Sequence, residues 1–141
     1  MMIKGYSIIE PSSVNEFRDY YNLRWRVLRQ PWGKLKGSER DESDKSAIHR
    51  MIINSEDSIV AVGRMHYNSN IEAQIRYMAV KKDFQNMSFG GHLLRYFESL
   101  AKDNGITQII LHAREEAIDF YIKNGFFIVE KSYLLFDSIQ H

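Results

Sequence analysis

Apolar residues along this chain fall into two patterns. Runs rich in Ile, Val and Tyr, bounded by Asn, Ser and Gly, read as strands. They are YSIIE at residues 6–10, AIHRMIIN at 47–54, IVAVGRMHY at 59–67, IEAQIRYMAV at 71–80 and TQIILHA at 107–113. The closing FFIVEKSYLLF, residues 126–136, reads as two strands or one bent strand. Other segments repeat their apolar positions every three or four residues. Val14, Phe17, Tyr21 and Leu28 share one helical face, and S-V-N-E at residues 13–16 is a capping box that opens it. Pro31 closes that helix. Phe89, Leu93, Phe97, Leu100 and Ala101 define a second helix, stopped by Asn104-Gly105. EEAIDFYIK, residues 115–123, is a short third helix with acidic residues in its first turn. The order β-α-β-β-β-α-β-α-β(-β) predicts a single α/β domain over residues 1–141. Its sheet is mixed and mostly antiparallel, with a parallel β-α-β crossover and helices on its faces.

Composition narrows the function. With 44% hydrophobic and 26% charged residues, the 141-residue chain has the make-up of a globular domain. A net charge of +1 gives no general pull toward nucleic acid or membrane. The chain has no cysteine, which excludes disulfides, thiolate metal sites and a cysteinyl acyl-enzyme. No pair among the five histidines has metal-ligand spacing, so no metal is expected. No apolar run reaches the length of a membrane span, and the opening MMIKGYSIIEPSS lacks a signal-peptide profile. A cytoplasmic location is expected.

The stretch MAVKKDFQNMSFGGHLLRYF, residues 78–97, is chemically the most suggestive. A strand ends in it, and a helix begins with two glycines near its start. Each glycine inside a helix costs about 1 kcal/mol relative to alanine. The front of a helix offers unpaired N–H groups and a partial positive charge, and loop amides ahead of it can form a nest for an anion. Gly90 and Gly91 would let a large anion reach the main chain, with Lys81, Lys82 and Arg95 nearby. His92 stands where a P-loop needs Lys-Ser/Thr, and no G-x-G-x-x-G fingerprint is present. The alternative is a glycine pair used for packing alone.

Two segments together resemble the GNAT N-acetyltransferase superfamily. Its loop signature, [QR]-x-x-G-x-[GA] after a strand ending in Ala-Val, is matched at residues 85–90, with Ser88 where the first glycine usually stands. Its A-x-x-[FL]-Y-x-K-x-G-F block is matched at residues 117–126. The resemblance implies acetyl-CoA as cosubstrate. The main chain of Met78, Ala79 and Val80 would pair with the pantetheine arm, and the Val80 N–H would polarise the acetyl carbonyl. Amides from Gln85, Asn86, Met87, Ser88, Phe89, Gly90 and Gly91 would hold the pyrophosphate. Tyr121 would protonate the departing thiolate, and Phe120 would pack in the core.

A general base is harder to assign. Glu72, Gln74, Arg76 and Met78 share one face of their strand. An amide and an arginine cannot accept a proton near neutrality, so Gln74 and Arg76 cannot serve. Glu72 acting through water, or His112 at the end of its strand, are the candidates; His66 is a weaker one. The resemblance implies acceptor contacts from the first helix and the long connection after it, with Arg24, Arg29 and Trp32 as candidates, and Arg76 on the strand at residues 71–80 is a further one. A connection beyond about 12–15 residues is usually functional or mobile. The expected activity is direct acetyl transfer to a small-molecule or protein amine, without nucleic acid or membrane as partner. The alternative is a non-catalytic acyl-CoA-binding module. A homodimer stays open, as does the completeness of the last strand near residues 139–141.

Overall fold

The computed structural model describes residues 4–130 and 133–137, with side chains through residue 129. Residues 139–141, where the last strand was expected to stop, lie outside it. The elements are β1 (Tyr6–Ile9), α1 (Val14–Leu28), β2 (Ile48–Asn54), β3 (Ile59–Tyr67), β4 (Glu72–Val80), α2 (Phe89–Asp103), β5 (Gln108–His112), α3 (Ile118–Lys123), β6 (Phe127–Glu130) and β7 (Tyr133–Asp137). The closing segment is therefore two strands. Strands neighbour one another in the order β1-β2-β3-β4-β5-β7-β6. The β4–β5 pair is parallel, and β1–β2, β5–β7 and β6–β7 are antiparallel. This is the mixed sheet that the β-α-β order predicts.

The chain forms two compact units, Met1–Arg64 with Tyr77–Leu93, and Met65–Arg76 with Leu94–His141. In the first, Tyr20 and Leu23 of α1 pack with Met51, Val62 and Ala79, and Phe17, Val27 and Leu28 join them. Burial of such side chains is worth about 1.5–3 kcal/mol each. The capping box at the start of α1 is complete. Glu16 N–H donates to Ser13 Oγ at 3.0 Å, and Ser13 N–H donates to Glu16 Oε1 at 3.2 Å. Val14 departs from the predicted apolar face and is 86% exposed. It occupies the first helical position, ahead of the turns that meet the core. Arg24 replaces it in an unexpected way: it is a charged residue with no exposure at all.

In the second unit, β4 pairs with β5 through Glu72↔Gln108, Ala73↔Ile109 and Gln74↔Ile110. β5 then pairs with β7 along its whole length. Ile109, Leu111 and Phe97 are buried. Phe120, expected in the core, is instead 36% exposed. Phe120 shares the exposed side of a six-residue helix with Lys123, and Tyr121 faces Phe126 in its place at 5.7 Å between ring centroids.

Candidate functional site

In the first unit, the segment after β4 is built to present backbone amides. Lys81 N–H returns to the Val60 carbonyl at 2.8 Å, and a 3-10 turn follows over Lys82–Phe84. The Gln85 side chain then reaches back, its Nε2 donating to the Val80 carbonyl at 3.0 Å. Asn86 and Ser88 both take left-handed backbone, with φ of 65° and 70°. Alternation of this kind turns successive N–H groups toward one side. The ladder of α2 begins with His92 N–H to the Ser88 carbonyl at 3.0 Å. The amides of Phe89, Gly90 and Gly91 precede it and have no intrahelical acceptor. Asn86, Met87 and Ser88 are exposed, while Gly90 and Gly91 are buried.

An aromatic cluster fixes this loop at both ends. Tyr6 of β1 lies 6.4 Å from Phe84 and 4.7 Å from Phe89, and those two rings are 6.1 Å apart. Phe89 is 1% exposed, so toward a ligand it offers its main chain only. The left-handed Ser88 gives a physical reason for the glycine common at this motif position. A Cβ there crowds the following carbonyl at a cost of about 1–2 kcal/mol.

The acceptor-side residues fare differently from one another. Arg24 does not face solvent. Its Nη1 donates to Asp44 Oδ1 at 3.0 Å and its Nη2 to the Glu39 carbonyl at 2.5 Å. Arg64, also fully buried, places Nη1 2.6 Å from Asp41 Oδ1 and 3.1 Å from Asp44 Oδ1. Burial opposes ionisation of Asp44, but Arg24 and the Asp41 N–H outweigh it and hold its carboxyl below the ordinary range. His49 Nε2 donates to the Asp44 carbonyl at 2.8 Å, and its Nδ1 faces the Tyr20 hydroxyl at 2.8 Å. Burial pulls the His49 pKa down, and the nearby Arg24 and Arg64 act in the same direction. Removing one member of such a buried pair typically costs about 3–5 kcal/mol, because a charge is left uncompensated. The connection after α1 is thus anchored from inside. Arg29 is half-buried and donates to the Ser38 carbonyl at 3.0 Å. Trp32 is 53% exposed.

Sequence reading missed Asp41, Asp44, Arg64 and Tyr77. The available signal was Arg64, a lone charge in the apolar run IVAVGRMHY, with an acidic stretch at 39–44 able to meet it.

In the second unit, Glu72 holds two amides. Asn68 Nδ2 donates to Oε2 at 2.8 Å, and Gln108 Nε2 donates to Oε1 at 2.5 Å. His112 is exposed at the end of β5, and Arg76 is exposed on β4. Tyr121 is partly buried, and desolvation alone pushes its phenol up to about 12. It is therefore protonated at neutral pH. Among the described residues no cluster could hold a metal ion, and no helix is long and apolar enough to cross a membrane.

The chain is 24% identical over 126 residues to the uncharacterized N-acetyltransferase YjcF of Bacillus subtilis (strain 168), covering 89% of each sequence. Its fold is similar to that of a GNAT family acetyltransferase from Staphylococcus aureus MU50, with a TM-score of 0.77 at 17% identity over 94% of this chain and 98% of that one. It is also similar to a GNAT family acetyltransferase from Elizabethkingia anophelis with acetyl-CoA bound, with a TM-score of 0.72 at 15% identity over 96% and 99%. The model of the acetyltransferase (GNAT) family matches residues 17–126, which takes in most of α1 and the loop before α2. The chain belongs to the acetyltransferase (GNAT) family.

Proposed function

We propose that this protein, acting as a single domain, transfers the acetyl group of acetyl-CoA directly to an amine. The observation that carries the reading is the amide-presenting loop of residues 85–91, with left-handed Asn86 and Ser88 ahead of three amides that have no intrahelical acceptor. The pyrophosphate would bind there, and the pantetheine arm along Met78, Ala79 and Val80. An acetyl-CoA-bound relative of similar fold supports the choice of ligand. The acceptor nitrogen would attack the thioester carbonyl, forming the C–N bond as the C–S bond breaks. The Val80 N–H would stabilise the charge on the carbonyl oxygen. Tyr121 would pass its proton to the departing thiolate and regain one from solvent. The amine proton would leave to Glu72 through water, to His112, or to solvent. Trp32 and Arg29, at the start of the connection after α1, and Arg76 are the acceptor-facing candidates. Arg24 would act from beneath, through the connection that it anchors. The acceptor is a small-molecule or protein amine.

A second reading, acyl-CoA binding without turnover, draws on one observation. The Glu72 carboxylate is already held by two side-chain amides. Thiol release from acetyl-CoA across an amine library separates the two readings.

Ser88 provides the binding test, because it is exposed and asparagine and aspartate both tolerate left-handed backbone. Ser88→Asp sets a carboxylate beside the proposed phosphate site, and Ser88→Asn is its neutral control. Isothermal titration should show CoA affinity at least tenfold weaker in the first and within about threefold of wild type in the second, from the charge difference alone. Equal affinity in both variants would remove the phosphate from this loop.

A further inference from the structure

Tyr77 has backbone that a bulky L-residue rarely takes. Its φ is 59°, in the interior of β4. Such a residue persists only where its surroundings over-determine it. One left-handed residue in a strand also re-aims the peptides that follow, as in a β-bulge. The following residues are Met78, Ala79 and Val80.

The surroundings of the Tyr77 ring are unusual. The Arg24 guanidinium lies 3.8 Å from its centroid, Arg64 5.0 Å and Arg29 5.4 Å. Arg24 and Arg64 have no solvent exposure, a setting in which cation–π attraction is strongest. The Tyr77 hydroxyl donates to Asp41 Oδ2 at 3.4 Å, and Asp41 and Asp44 in turn fix the two buried guanidiniums. Every part of this cage comes from α1, β3 and the connection after α1. Two desolvated arginines and their carboxylates are a costly way to fill a core that apolar side chains would fill as well.

We infer that Tyr77 is a positioning residue: the Arg24–Asp44–Arg64–Asp41 cage clamps its side chain so that β4 turns at residue 77 and delivers the main chain of Met78–Val80 to acetyl-CoA. The role in delivery rests on the proposed acetyl-transfer reading; the clamp itself does not. Glycine at this position would permit the backbone conformation without enforcing it. The tyrosine enforces it, and the same carboxylates tie that turn to the connection expected to meet the acceptor.

Hydrogen–deuterium exchange of the residues 78–80 segment, in protein without CoA, tests the clamp. Tyr77→Phe keeps the stacked ring and should leave exchange within about threefold of wild type. Tyr77→Gly removes the ring, admits the left-handed backbone, and should speed exchange at residues 78–80 at least tenfold while β1 and β2 exchange as before. Asp41→Asn, which weakens the cage by charge alone, should give a smaller increase in the same segment and serves if the glycine variant does not fold. Unchanged exchange at residues 78–80 in the folded glycine variant, or in Asp41→Asn where glycine does not fold, overturns the inference. A parallel measurement with CoA tests the delivery. CoA should protect residues 78–80 in wild type, and the folded variant that loosens the segment should raise KM for acetyl-CoA more than it lowers kcat. Absent protection in wild type sinks the acetyl-CoA reading, while the exchange comparison without CoA still decides the clamp.

Discussion

At the scale of single residues, two side chains carry opposite lessons. Tyr121 has a phenol whose pKa is pushed up to about 12 by desolvation. It is the phenol at neutral pH but a weaker acid than free tyrosine, so as the proposed donor it would serve a thiolate of pKa about 8.5 only where shielding from water raises the thiolate as well. Tyr121→Phe removes the hydroxyl and keeps the ring against Phe126. We expect kcat to fall at least tenfold, within the roughly 10²–10⁴-fold range of general acid catalysis, with acetyl-CoA affinity little changed. Steady-state kinetics with the best amine, where chemistry limits the rate, reads this directly. An unchanged kcat would leave Tyr121 a packing residue. Ser88 is the reverse case, a residue that its backbone does not favour. Relief of its left-handed strain is worth about 1–2 kcal/mol, and the extra unfolded-state freedom of glycine takes back about 0.4–1 kcal/mol. Ser88→Gly should therefore stabilise the fold by roughly 0.5–1 kcal/mol, raising Tm by about 2–4 °C. A lower Tm would mean that the serine side chain contributes something the strain argument omits.

At the scale of elements, local signals explain where helices start and stop, and packing explains which side each helix buries. The α1 capping box is legible as S-x-x-E and is made as written, with Glu16 further held by the Ser12 N–H at 2.9 Å. Ser13→Ala should cost about 1 kcal/mol, read as a lower urea midpoint at unchanged m-value. No loss would mean that tertiary contacts of α1 alone set its start. The buried face of the same helix was less legible. Periodicity placed Val14 on it, yet Val14 is exposed; Arg24 falls at helical spacing from Phe17 and Leu28, and its charge kept it out of an apolar face that it in fact joins. Arginine is buried because Asp44 and the Glu39 carbonyl, fifteen and more residues away in sequence, satisfy it. A hydrophobicity pattern read along one helix carries no information about partners of that kind.

At the scale of the first compact unit, the polar network links stability to pH. Burial lowers the His49 pKa below its ordinary value, so the unfolded state takes up a proton first as pH falls. Stability is then full above about 6.5 and declines below it, until the folded-state pKa is also passed. The Asp44 carboxyl titrates below its ordinary range, which adds a second loss below about pH 4. Thermal melts from pH 8 to pH 5 should show Tm falling on the acid side, and His49→Gln should flatten that slope. An equal slope in both proteins would place the titrating group elsewhere.

The sequence by itself determined much of this protein: the element order, the parallel crossover between β4 and β5, the caps and stops, and a glycine-marked helix start after a strand ending in Ala-Val. These are legible because turn chemistry, capping and side-chain period act over a few residues. Two motifs in order were enough to indicate the GNAT resemblance, and the family match bears it out. Only the tertiary structure decided that Arg24 and Arg64 are buried, that Asp41 and Asp44 meet them, and that Tyr77 is left-handed within a strand. The ion pairs among them join residues twenty or more positions apart. The free energy that permits it, mutual neutralisation of charges withdrawn from water, exists only once the chain has folded.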